Sequence, residues 1–79
     1  MPRFRVAGQE VEIDREGVER AMQDEKPERL HSHGVEINGK IWPPKQAFEL
    51  VSGFDRLDFT TQEARRVLKA LGFRTFRAS

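Results

Sequence analysis

A chain of 79 residues without cysteine makes one small domain, read over residues 1–79, with no disulfide, thiolate zinc site or cysteine nucleophile. No apolar run approaches the roughly 20 residues of a membrane span, and Met1-Pro-Arg-Phe-Arg leads into no signal-like segment, so a soluble, complete cytoplasmic protein is expected. The net charge of +1 hides an asymmetry. Residues 1–39 hold six cations against nine acids, net −3, and residues 40–79 hold eight against four, net +4, which permits an anionic ligand without demanding one.

In chain order, Phe4 and Val6, then Val11 and Ile13, alternate about a break at Ala7-Gly8-Gln9. That pattern predicts a hairpin with one buried face and with Arg3 and Arg5 on the other. Asp14 is a good N-cap for a helix whose apolar stripe is Val18, Ala21 and Met22, ending near Glu25 because Pro27 disfavours helical geometry at Lys26. Lys26–Gly34 is a polar connection.

Asn38-Gly39 then separates two β-prone runs and signals a two-residue turn. Its register sets Ile37 against Lys40, Glu36 against Ile41 and Val35 against Trp42. Pro43-Pro44 stops the strand, and Pro44 suits the first turn of a helix with Ala47, Phe48 and Val51 on one face and Gly53 at its end. Phe54, Leu57 and Phe59 are expected to anchor the next loop. Thr60 and Glu63 form a capping box, Ala64, Val67, Leu68 and Leu71 keep helical spacing, and Gly72 closes the element. Phe73–Arg77 reads as a last strand on which Phe73 and Phe76 point to opposite sides. The order β-β-α-β-β-α-α-β is an α+β domain with two hairpins, three helices and a C-terminal strand.

With its apolar ridge inward, the last helix turns Gln62, Arg65, Arg66 and Lys69 outward, followed by Arg74 and Arg77. Arginine pairs bidentately with phosphate or guanine and glutamine with adenine, so this face suits DNA; plain solvation of a surface helix is the competing explanation. Trp42, the one tryptophan, reads first as core, where its indole N–H needs an acceptor. Between Lys40 and Lys45 it also offers a base-stacking platform, so Lys40, Trp42 and Lys45 form a second candidate contact. His31 and His33 read as ordinary loop histidines, because a zinc site normally needs three or four protein ligands and the chain has no third histidine. No nucleophile–base order, phosphate loop or carboxylate pair stands out, so neither an enzyme nor a cofactor is expected.

Three stretches in order, I-D-R-x-G-V-x-R-A-M, V-x-I-N-G-K-I-W-P-P-K-x-A-F-x-L-V-S-G and L-D-F-T-T-Q-E-A-R-R-V-L-K-A-L-G-F, give the chain a resemblance over residues 13–73. It resembles the N-terminal recognition module of modification-dependent, McrA-like HNH restriction endonucleases. Gly39-Lys40, Pro43-Pro44-Lys45, Asp58-Phe59 and Leu71-Gly72-Phe73 match best. Thr60-Thr61 stands where that family usually has Gly-Gly, and the nuclease domain is missing, so cleavage does not carry over. The resemblance implies a free-standing, non-enzymatic module for double-stranded DNA carrying a modified base such as 5-methylcytosine, in a restriction–modification setting. The alternative is a protein-interaction module that docks through the acidic first helix or a hairpin edge.

Overall fold

The computed structural model describes residues 2–77. Its elements are β1 (Arg3–Val6), β2 (Gln9–Glu12), α1 (Arg15–Ala21), β3 (His33–Ile37), β4 (Lys40–Trp42), α2 (Pro44–Ser52), α3 (Thr61–Ala70) and β5 (Arg74–Arg77), with a 3-10 turn at Arg56–Asp58. The α+β order is the expected one. β1 and β2 form a two-stranded antiparallel ribbon, and the other strands form an antiparallel sheet in the order β4-β3-β5.

Both hairpins close on the same kind of turn. φ is +53° and +78° at Ala7 and Gly8, and +54° and +78° at Asn38 and Gly39. Positive φ at both central residues matches the twist of the flanking strands. Asn38 tolerates this conformation and also donates from Nδ2 to the Glu19 carbonyl at 2.9 Å, which ties the turn to α1. Ala7 has no side chain to make such a bond, and the left-handed region costs a non-glycine residue about 1–2 kcal/mol. In the first ribbon Phe4 pairs with Val11, while Arg3 and Arg5 pair with Glu12 and Glu10 on the other face.

The second hairpin has the expected register, with Val35 opposite Trp42 and Ile37 opposite Lys40. Val35, Ile37 and Trp42 point into a core completed by Val6, Val18, Met22, Phe48, Val67 and Leu68. Phe48 packs edge-on against Phe59 and Phe54, with ring centroids 4.7 and 5.7 Å away. β5 pairs with β3 so that Thr75 lies opposite Val35 and Arg77 opposite His33. These four therefore share the sheet face that looks toward the helices. On the other face Phe76 is half-buried over Gly34, where a Cβ would come within 3.0 Å of its ring. Phe73 is buried, so the two aromatics do point apart.

Three local expectations need correction. α1 stops at Ala21, earlier than Glu25, because Gln23 and Glu25 bond back to Arg20 and Met22, a tighter spacing than the α-helix, once Met22 is anchored in the core. Leu57 does not anchor its loop; it is 92% exposed. The Asp55 carboxylate accepts from Leu57 N at 2.9 Å and holds that backbone in the 3-10 turn. His33 is not a loop residue but the first residue of β3.

The turn geometry makes two opposite predictions. Ala7→Asn should stabilise the fold by up to about 1 kcal/mol, since asparagine tolerates positive φ. Asn38→Ala, which loses both that tolerance and the bond to Glu19, should destabilise it by about 1–2 kcal/mol. Urea denaturation with unchanged m-values checks both.

Candidate nucleic-acid interface

The position of α3 is set by its first turn. Thr60 Oγ1 accepts from Glu63 N at 3.1 Å, and Glu63 Oε1 accepts from Thr60 N at 2.9 Å. The second oxygen of the same carboxylate accepts from Ala7 N at 3.1 Å, so the cap also holds the first hairpin. These backbone donors hold the Glu63 carboxyl below the usual carboxylate range. One turn on, Arg66 Nη2 donates to the Arg5 carbonyl at 2.7 Å, a second tie between α3 and the ribbon. The helix closes through Gly72 (φ +94°), with Gly72 N and Phe73 N donating to the Lys69 and Leu68 carbonyls.

Ala64, Val67 and Leu68 are buried, which turns Gln62, Arg66 and Lys69 to solvent and leaves Arg65 half-buried. With Thr75 of β5, these four line a shallow depression of about 260 Å³. Arg65 Nη1 donates to Gln62 Oε1 at 3.1 Å, so part of the face is bonded to itself. Arg77 joins from β5 through His33. Partial burial, then the charges of Arg65 and Arg77, hold the His33 imidazole below the usual histidine range. His33 Nδ1 and Arg65 Nε are both buried without a hydrogen-bond partner among the described residues. Cationic groups from α3 and β5 thus converge about the His33 imidazole of β3, and none of Arg65, Arg66, Lys69 or Arg77 forms an ion pair among the described residues. The five ion-pair contacts there join Arg3 to Glu12, Arg15 to Glu19, Arg20 to Glu16, and Arg56 to Glu28 and Glu49.

The other predicted contacts lie elsewhere. Trp42 is fully buried, and its indole N–H donates to the Ile37 carbonyl at 3.1 Å, so no ring face is left for a base. Lys40 borders a separate depression of about 530 Å³, together with Glu16 and Glu19 of α1. Lys45 lies past the two prolines, its Nζ donating to the Arg56 carbonyl at 3.0 Å and 5.6 Å from the centroid of the Phe59 ring. The hairpin–helix junction therefore presents no shared basic grip. Arg74 pairs in register with Glu36 and borders a hollow with Arg15 and Glu19, away from the α3 face. His33 and Thr75 were missed as members of the face. The period-two pattern of Val35 and Ile37 extends back to His33 and is the signal that would have found it.

Among the described residues no three His, Cys, Asp or Glu side chains converge as a metal-ligand set, and no helix is long and apolar enough to cross a membrane. A family profile described as SCO5918-like matches residues 3–79, and the chain belongs to that family, whose description names neither ligand nor reaction. No curated protein and no solved structure matches the chain.

Two titrations should separate in pH. His33 binds protons less readily folded than unfolded, so its contribution to stability is complete above the ordinary value of 6.5 and is lost as pH falls through that region. Glu63 and the Arg56-bonded Glu28 contribute above the ordinary 4.5 and lose that contribution only at lower pH. In pH-dependent urea unfolding, His33→Gln should flatten the upper arm alone and Glu63→Gln the lower arm alone.

Proposed function

We propose that this member of the SCO5918-like family is a non-enzymatic, cytoplasmic protein that binds double-stranded DNA through the α3–β5 face. One observation carries the proposal: Arg65, Arg66 and Lys69 stand around a shallow depression, Arg77 is joined to them through His33, and no carboxylate is paired to any of the four among the described residues. A 10-residue helix is about 15 Å long, and a major groove about 12 Å wide admits one. Lys69 and the arginines reach phosphates, while Gln62, on the same exposed face, is the side chain suited to a base edge. The resemblance to modification-dependent restriction modules supports a finer reading, in which the duplex carries a modified base such as 5-methylcytosine. Docking of a protein through the first helix has less behind it, because Glu16 and Glu19 pair with Arg20 and Arg15 of the same helix at 3.6 Å.

Each neutralised phosphate contributes about −0.9 to the slope of log affinity against log salt. Replacing Arg65, Arg66 and Lys69 together by Ala should flatten that slope by up to about 2.7 and weaken duplex binding at low salt. Fluorescence anisotropy on plain and 5-methylcytosine duplexes measures both quantities. Unchanged affinity and slope in the triple variant would remove α3 from the interface.

A further inference from the structure

A cavity of about 570 Å³ lies beyond the end of α3's exposed face, between residues 28–33 and the start of α2. Its walls are built. Gln46, buried at 5% exposure, donates from Nε2 to the Lys26 carbonyl at 2.9 Å and accepts at Oε1 from Glu28 N at 2.8 Å, which pins the connection ahead of β3 to α2. Arg56 grips Glu28 through two bonds of 2.7 Å and Glu49 through one of 2.8 Å. Both carboxylates on that side are thereby occupied, and the pairing with Arg56 holds Glu28 below its usual range.

The groups left over are almost all donors. Arg29 takes part in no ion pair or side-chain hydrogen bond among the described residues, and neither do the Ser32 and Thr61 hydroxyls. Lys45 spends one of its three ammonium protons on the Arg56 carbonyl. His31 and His33 complete that side of the cavity, and Nδ1 of His33 is one of the two unpartnered buried side-chain atoms. α2 opens on Pro43 without a side-chain cap, which leaves the amides of Lys45 and Gln46 without intrahelical acceptors. Pro43 and Pro44 supply a rigid apolar wall beside these donors. A set of donors with little competing acceptor calls for a multiply charged oxyanion. The volume exceeds what an inorganic anion fills and falls in the range of small-ligand sites.

We infer that this cavity binds a phosphate monoester of nucleotide size, with the phosphate held by Arg29, Lys45, Ser32 and Thr61 and the organic group lying against Pro43-Pro44. The site shares His33 with the basic face of α3 but none of Arg65, Arg66 or Lys69, so either can fail alone. The ligand is either a free mononucleotide or the phosphorylated 5′ end of a strand, and the two present the same chemistry.

An amide NMR titration of the full chain with deoxycytidine monophosphate tests it. Shifts should gather at Ser32, His33, Lys45, Gln46 and Thr61, and inorganic phosphate should bind the same amides more weakly. Arg29→Ala, on an exposed side chain, should weaken the nucleotide by about tenfold, the loss of one charge-assisted contact. The Arg65, Arg66 and Lys69 triple variant should leave that affinity within about twofold. A 5′-phosphorylated single strand that binds more tightly than both the mononucleotide and its unphosphorylated twin identifies the strand end; no gain over the mononucleotide identifies the free nucleotide. Absence of shifts at the cavity, shifts confined to α3 and β5, or an Arg29→Ala variant with unchanged affinity would overturn the assignment. None of those results bears on duplex binding, which the triple variant tests separately.

Discussion

The burial of Trp42 holds the most structure in place. Its ring fills the centre of the core, its N–H is satisfied by the Ile37 carbonyl across the turn, and two prolines follow it at once. Truncating a buried tryptophan to alanine costs about 3–5 kcal/mol, a large share of what a domain this small holds. Because α2 starts two residues after the indole, locking Trp42 also places Phe48, which in turn seats Phe54 and Phe59. α3 packs on α2 and β5 on β3. The same tryptophan cannot then serve as a surface contact, since the anchor and the platform are exclusive uses of one ring.

Charge is sorted across the surface. Three acids of the first half are matched locally, Glu16 and Glu19 along α1 by Arg20 and Arg15 and Glu12 across the ribbon by Arg3. Such exposed pairs add little stability, typically under about 1 kcal/mol each. Their larger effect is to leave the arginines of α3 without carboxylate partners. Glu63 is the acid within α3, and its two oxygens are engaged by backbone donors from Thr60 and Ala7. The cap that orders the helix start also keeps that carboxylate on backbone amides, so it forms no ion pair with the basic face. Partial burial and the charges of Arg65 and Arg77 disfavour a proton on His33, which spares this face a third positive charge.

What was legible in the chain was local. The hairpin register follows from Asn38-Gly39, the start of α2 from Pro43-Pro44, and the start and end of α3 from the Thr60–Glu63 box and Gly72, because each is decided by a few adjacent dihedrals and their hydrogen bonds. The outward set on α3 followed from helical spacing against an uninterrupted apolar ridge. Less legible was the end of α1, where anchoring of Met22 and back-bonding at Gln23 and Glu25 decide the stop ahead of any sequence signal.

Tertiary structure alone decided which side chains share a surface. Lys40 and Lys45 flank Trp42 in the chain, yet the sheet carries one toward α1 and the helix carries the other toward Arg56 and Phe59. Arg77 and Arg65 stand 12 positions apart, yet strand pairing and helix packing bring both charges to bear on His33. The cavity before α2 depends on Gln46 reaching back to Lys26 and Glu28, and on Arg56 closing on Glu28 from 28 residues away. Periodicity records which way a side chain points from its own backbone. Which side chains then meet is settled by the packing of remote elements, and that information is held in the core as a whole.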